Sequence, residues 1–274
     1  MARKYSIAHL TWLPWTPAEM IYNTHLLGYD YVSLRTISQG LPGEVNHDIS
    51  NGGELFKLTE QALKDTGMRI NDIELAKIDE NTTAIKKYEP HLEAAAKLGV
   101  KNVITNIWTP DKAFYTEKFG ELCDLAAKYG MSVNLEFVTW AEVKDLKSAR
   151  ELLAAVKREN ALILLDTLHF YRSRVTPAEL IDTPKELFKT IHICDAGGEI
   201  PTDKESLVHT GRAERLYVGE GAIDIAGIVK NLNDDVVLCV EMPHVKRVSR
   251  IGAVEHARRT LETAKEYFKA HGIE

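Results

Sequence analysis

Four residues at the ends of apolar runs have the side chains to hold a metal ion. The stretch "LLDTLHFYRS" (164–173) stops an apolar run, Ala161 to Leu165, at Asp166, and His169 follows three residues later. The pattern recurs. Glu136 stands in "NLEF", His192 and Asp195 in "HICD", and Glu241 in "CVEMPH". Taken singly, a strand-end carboxylate reads as a solvated loop group. An inward histidine reads as a core residue with its hydrogen bonds met. Taken together, three crowded carboxylates would repel and raise one another's pKa. A divalent cation removes that conflict. Three carboxylates and one imidazole form an oxygen-rich donor set with one nitrogen. That set suits one divalent ion, Mn2+ first, with Mg2+, Co2+ and Zn2+ as alternatives.

These residues meet only if their runs are neighbouring strands. Eight short apolar runs alternate with helical patterns: 5–10, 30–34, 69–75, 101–106, 131–137, 161–166, 190–195 and 235–241. Several are rich in Val and Ile with few internal charges, as strands covered on both faces should be. The helices between them carry their own punctuation. Thr16-Pro17-Ala18-Glu19 and Thr176-Pro177-Ala178-Glu179 read as capping boxes with proline in the first turn. Gly28, Gly99 and Gly130 read as helix stops. Pro90 must start or kink the third helix. Asn106, Glu136, Asp166 and Asp195 are 30, 30 and 29 residues apart, each interval fitting one strand and one helix. The expected fold is a single (β/α)8 TIM barrel spanning residues 1–274 as one domain. An open doubly wound sheet would more often show a glycine-rich phosphate loop after its first strand; "HLTWLPW" stands there instead. In a barrel the active site lies at the C-terminal ends of the strands. The four candidates would then share one rim.

Composition bounds the function. The chain has 274 residues, 45% hydrophobic and 27% charged, with a formal net charge of −6. That balance argues against a nucleic-acid partner, which wants a basic face. Three cysteines, Cys123, Cys194 and Cys239, make no disulfide framework, and the last two sit inside apolar runs. The opening residues lack a sustained apolar segment, and no run of about 18 apolar residues occurs. No membrane contact is therefore expected, and the cytoplasm is the default location.

The motifs "NLEF…LLDTLH…IHICD…VGEGAIDI…CVEMP" resemble the xylose isomerase-like barrels, the sugar phosphate isomerase/epimerase superfamily, most strongly from residue 95 to 245. The resemblance implies that Glu136, Asp166, His192 and Glu241 ligate one divalent metal. It implies further that Glu136 and Glu241 act as acid and base, and that His169 contacts a substrate oxygen. An arginine before the "GEG" turn of 219–221 also contacts substrate in some members, and here Arg212 and Arg215 compete for that role. The implied activity is an isomerase or epimerase of a small polyhydroxy carbonyl compound. Proton abstraction beside the carbonyl gives an enediolate whose charge a metal offsets. Dehydration of a cyclic keto-polyol of the inosose or dehydroshikimate type starts with the same enolisation and is the alternative. An endonuclease IV-like activity needs a three-zinc cluster and a basic face, and this acidic chain disfavours it. A homodimer or homotetramer is compatible with the resemblance.

Other residues are candidates for the rest of a pocket. Glu74 and Arg35 end strands on the opposite half of the rim, where either could touch substrate or make a structural or loop salt bridge. His9 and Trp12 follow the first strand and Trp108 the fourth, placed to wall a pocket or to pack at the rim. His244 reads as a solvated loop residue. The segment 196–217 exceeds a bare βα turn, opens on Gly197-Gly198 and is rich in charge. It reads as a lid closing over substrate, with a disordered surface excursion as the alternative.

Overall fold

In the computed structural model, which describes residues 3–40 and 44–273, each apolar run contains a parallel strand. They are β1 (Tyr5–Ile7), β2 (Tyr31–Arg35), β3 (Arg69–Glu74), β4 (Asn102–Thr105), β5 (Ser132–Glu136), β6 (Ala161–Asp166), β7 (Thr190–Ile193) and β8 (Val237–Val240). Their order is β1-β8-β7-β6-β5-β4-β3-β2. The two ends of this series meet. Ala8 bridges Ser33 in the parallel sense, and the Asp30 N–H donates to the Tyr5 carbonyl at 2.9 Å. The sheet is thus a (β/α)8 barrel. Several strands are shorter than the apolar runs at their C-terminal ends. Asp195 and Glu241 lie just past β7 and β8, where the chain leaves the ladder for the rim.

The surrounding helices are α1 (Pro17–Leu27), α2 (Glu54–Thr66), α3 (Glu89–Lys97), α4 (Lys112–Lys128), α5 (Leu146–Val156), α6 (Thr167–Arg172), α7 (Pro177–Ile181), α8 (Lys204–Ala213), α9 (Ile225–Lys230), α10 (Val245–Ile251) and α11 (Ala253–Ala270). Both expected capping boxes form, Thr16 with Glu19 and Thr176 with Glu179. Pro90 lies in the first turn of α3. Gly28 ends α1 at φ 83°, a left-handed conformation that favours glycine. No helix among the described residues is long and apolar enough to cross a membrane.

Two local arrangements fix the rim. The first is the "GEG" turn. Asp195 is 1% exposed, and its carboxylate accepts from four backbone N–H groups: Ala196 (2.8 Å), Gly219 (3.1 Å), Gly221 (2.9 Å) and Ile223 (3.1 Å). A Cβ at Gly221 would lie 2.2 Å from the Ala196 carbonyl oxygen, so this close approach requires glycine. The second is the segment 196–217, which is not a bare excursion. Asp203 caps α8 within it by accepting from Ser206 N–H at 2.8 Å. Leu216 then pairs antiparallel with Asp195. Charge dominates its composition because α8 lies at the surface with only Gly211 buried.

The barrel floor is partly polar. Where Val, Ile and Leu layers are usual, Ser6, Ser33, Asp72, Asn71 and Thr190 are buried and hydrogen-bonded to one another. Leu75, Ile104 and Leu164 form a small apolar cluster separate from the main core.

Candidate metal centre

Glu136 is the last residue of β5, Asp166 the last of β6, His192 the third of β7, and Glu241 directly follows β8. One ligand atom from each lies within 4.8 Å of the others. All four are buried, Asp166 completely. Asp166 is held by the start of α6, which it caps: its Oδ1 accepts from Leu168 N–H (2.7 Å) and His169 N–H (3.3 Å). The other oxygen, Oδ2, faces Arg215 Nη1 at 2.6 Å. The same Nη1 is 2.9 Å from Glu241 Oε2. Arg215 is itself fixed by donating from Nε to the Gly211 carbonyl at 2.8 Å.

The electrostatics are those of an under-neutralised anion cluster. Burial, then the charge of Glu241, pushes the Glu136 carboxyl up to about 8. Burial opposes charge on Glu241 as well, but His192 and Arg215 hold its carboxyl well below the usual range. Burial likewise disfavours charge on His192, and the neighbouring Glu241 more than offsets this and raises its pKa. His192 Nδ1 lies 3.2 Å from Glu241 Oε2 and 3.9 Å from Glu136 Oε1. Yet neither ring nitrogen makes a hydrogen bond of good geometry, although both are buried. Unpartnered imidazole nitrogen and crowded carboxylate oxygen are the donors a divalent cation takes. The donor set therefore fits the group.

Above the cluster opens a cavity of about 340 Å³. Of the residues singled out from sequence, Glu136, Glu241, Glu74, Arg35, Trp108, His169, Arg212 and Arg215 line it. Arg35 and Glu74 pair with each other at 3.1 Å. Trp108 donates from Nε1 to Asn106 Oδ1 at 2.6 Å. His169 is buried, and burial pushes its pKa down to about 4. Its Nδ1 is 3.4 Å from the Thr139 N–H that donates to it and 3.2 Å from the Thr139 hydroxyl. Arg212 is exposed at the cavity mouth, whereas Arg215 is buried in the cluster.

His9 is not brought to the cavity. It stacks on His47, ring centroids 4.8 Å apart. Nε2 donates to the Trp15 carbonyl (2.7 Å) and Nδ1 accepts from the Arg35 N–H (3.1 Å). Both nitrogens thus serve the backbone. Trp12 is absent from the lining as well; Leu10 and Leu13 take that wall. His244 caps α10 at intermediate exposure. Sequence reasoning missed Trp140, Glu44 and Lys77, which also line the cavity. Trp140 follows Glu136 by four residues, a signal of the same kind as Trp108 after β4.

The sequence profile of the xylose isomerase-like TIM barrel matches residues 22–271. An inosose isomerase of Bacillus licheniformis is 27% identical over 201 residues, covering 68% of this chain and 70% of the relative. Among solved structures, the IolI protein with a bound zinc atom superposes with a TM-score of 0.81 at 20% identity, covering 98% and 99% of the two chains. The probable 3-DHS dehydratase AsbF of Bacillus anthracis gives 0.75 at 18% identity, covering 96% and 98%. The structural likenesses establish a shared fold.

Proposed function

The chain belongs to the xylose isomerase-like TIM barrel family, and from that premise we propose that it is a divalent-metal-dependent isomerase or epimerase of a small polyhydroxy carbonyl compound. The observation that carries this reading is the gathering of ligand atoms of Glu136, Asp166, His192 and Glu241 within 4.8 Å of one another, with Glu136 and Glu241 lining a cavity. These four residues would hold the ion, Mn2+ being the expected one. When bound, it supplies a Lewis acid for the oxygens of an α-hydroxy carbonyl group.

The remaining work falls to the side chains. Glu136 and Glu241 stand at the two ends of the four-strand arc, so they flank a substrate placed between them. One takes the proton from the carbon beside the carbonyl, and the other returns a proton to the enediolate from its side. Arg215, between Asp166 and Glu241, offsets negative charge as it develops. His169 is neutral near pH 7. With Nδ1 accepting from Thr139, its proton sits on Nε2, free to donate to a substrate hydroxyl. Trp108 and Trp140 keep water from the enediolate. The inosose isomerase relative supports a cyclic ketone of that type as the first compound to test.

Incubation of inosose and related keto-polyols in D2O with Mn2+ or Zn2+, followed by mass spectrometry, tests the reading. The expected product has unchanged composition with one deuterium at the carbon beside the carbonyl. Loss of one water would instead mark the dehydratase reading, and no exchange on any keto-polyol would sink both.

A further inference from the structure

A metal-bound imidazole needs its second nitrogen anchored, or its ring orientation and tautomer are not defined. His192 turns Nδ1 toward Glu241 and Glu136. The two nitrogens of an imidazole point in diverging directions, so Nε2 cannot share those carboxylates. It is buried and has no hydrogen-bond partner. What lies around it is the polar barrel floor. Cys239 is the register partner of His192 on β8, so its thiol neighbours the ring. Beyond Cys239 stands Ser33, with Oγ to Sγ at 3.5 Å. Beyond Ser33 stands Asp72, 1% exposed on β3.

The donors along this line can be assigned by elimination. Burial pushes the Asp72 carboxyl up to about 6, so near pH 7 it is ionised and only accepts, and Ser33 donates its single proton to Asp72 Oδ2 at 2.9 Å. The other contacts of Ser33 Oγ must then be donated to it, from Ser6 at 3.0 Å and from the Cys239 thiol. With its proton turned to Ser33, the Cys239 sulfur is left as an acceptor facing His192. Asn71 Nδ2 holds Asp72 Oδ2 from the other side at 2.5 Å, and the remaining oxygen, Oδ1, is buried without a partner.

We propose that Asp72 is the positioning carboxylate of His192, acting through the Ser33 hydroxyl and the Cys239 thiol. The chain keeps the proton on Nε2 and presents the bare Nδ1 to the metal. This inference rests on the metal reading of the cluster. It adds a residue on the far side of the barrel, 120 positions before His192, that touches neither metal nor substrate.

Zinc affinity, measured by chelator competition on the full chain, provides the test. Asp72→Asn and Cys239→Ala should each weaken zinc binding by about 10–100-fold. Cys239→Ser keeps a group that both accepts and donates and should bind near wild type. Melting of the metal-free variants reports folding, and Ser33→Ala replaces Asp72→Asn if the latter fails to fold. NMR of the zinc-loaded wild type should find the ring proton on Nε2 and zinc on Nδ1. Wild-type affinity in both Asp72→Asn and Cys239→Ala, or zinc on Nε2, overturns the proposal. A wild-type chain that takes up neither zinc nor Mn2+ removes the metal reading and this inference together, whereas wild-type uptake with indifferent variants removes this inference alone.

Discussion

Glu136 and Glu241 carry the same carboxyl group but sit in opposite fields, one pushed up to about 8 and the other held well below the usual range. Such divergent environments mark acid and base partners. Glu136→Gln and Glu241→Gln keep shape and an oxygen donor but remove the base. Each should lower turnover by about 10²–10⁴-fold at saturating metal. Near-normal turnover with full metal content in both would end the proton-transfer assignment. His9 makes a different prediction. Burial, then His47, pushes its pKa down to about 3. Its ordinary value is near 6.5, so below that pH the unfolded chain takes up a proton that the folded chain refuses. His9 therefore contributes stability that is complete above about pH 6.5 and is lost as the pH falls toward 3, at up to about 1.4 kcal/mol per unit. Urea midpoints between pH 7 and pH 4.5 should fall more steeply for wild type than for His9→Gln. Parallel slopes would refute this.

At the scale of elements, α8 is the part whose packing was hidden. Its helix pattern is buried under charge, yet its C-terminal end is seated: a Cβ at Gly211 would lie 2.5 Å from Trp140 Cη2. The same turn separates the two competing arginines. Arg212 lies in the last turn of α8 and lines the mouth. Arg215 follows it, beside the Leu216–Asp195 bridge, and enters the cluster. Gly211→Val should push α8 off Trp140 at a penalty of about 1–3 kcal/mol. KM should rise, amide exchange across 204–213 should quicken, and the Tm should fall by about 2–10 °C. Unaltered KM and exchange would mean that this contact does not hold the mouth. Substrate analogue should slow exchange across 196–217 in wild type if α8 tightens on binding.

At the scale of the whole molecule, the proposed ion would couple four strands that the chain supplies across more than a hundred residues. Saturating metal at about 100 times Kd should add roughly 2.7 kcal/mol of stability, worth about 5 °C or more in Tm for a barrel of this size. Ligands bind deprotonated. Because the Glu136 carboxyl is pushed up to about 8, the increment should shrink as the pH is lowered. Calorimetry with and without chelator at pH 8 and pH 6 checks this, and equal increments, or none, would count against the metal centre. The sequence alone determined the eight strands, the capping boxes and the four rim residues. Strand periodicity, helix punctuation and a spacing near 30 are local signals, and a closed barrel sends every strand's C-terminal end to one rim. Tertiary structure alone decided which arginine enters the cluster, that His9 serves the backbone, that Trp140 completes the cavity wall, and that Asp72 lies beneath His192. Most of those meetings join groups far apart in the chain, from 26 positions for His9 and Arg35 to 120 for Asp72 and His192, and no local pattern encodes a meeting at that separation.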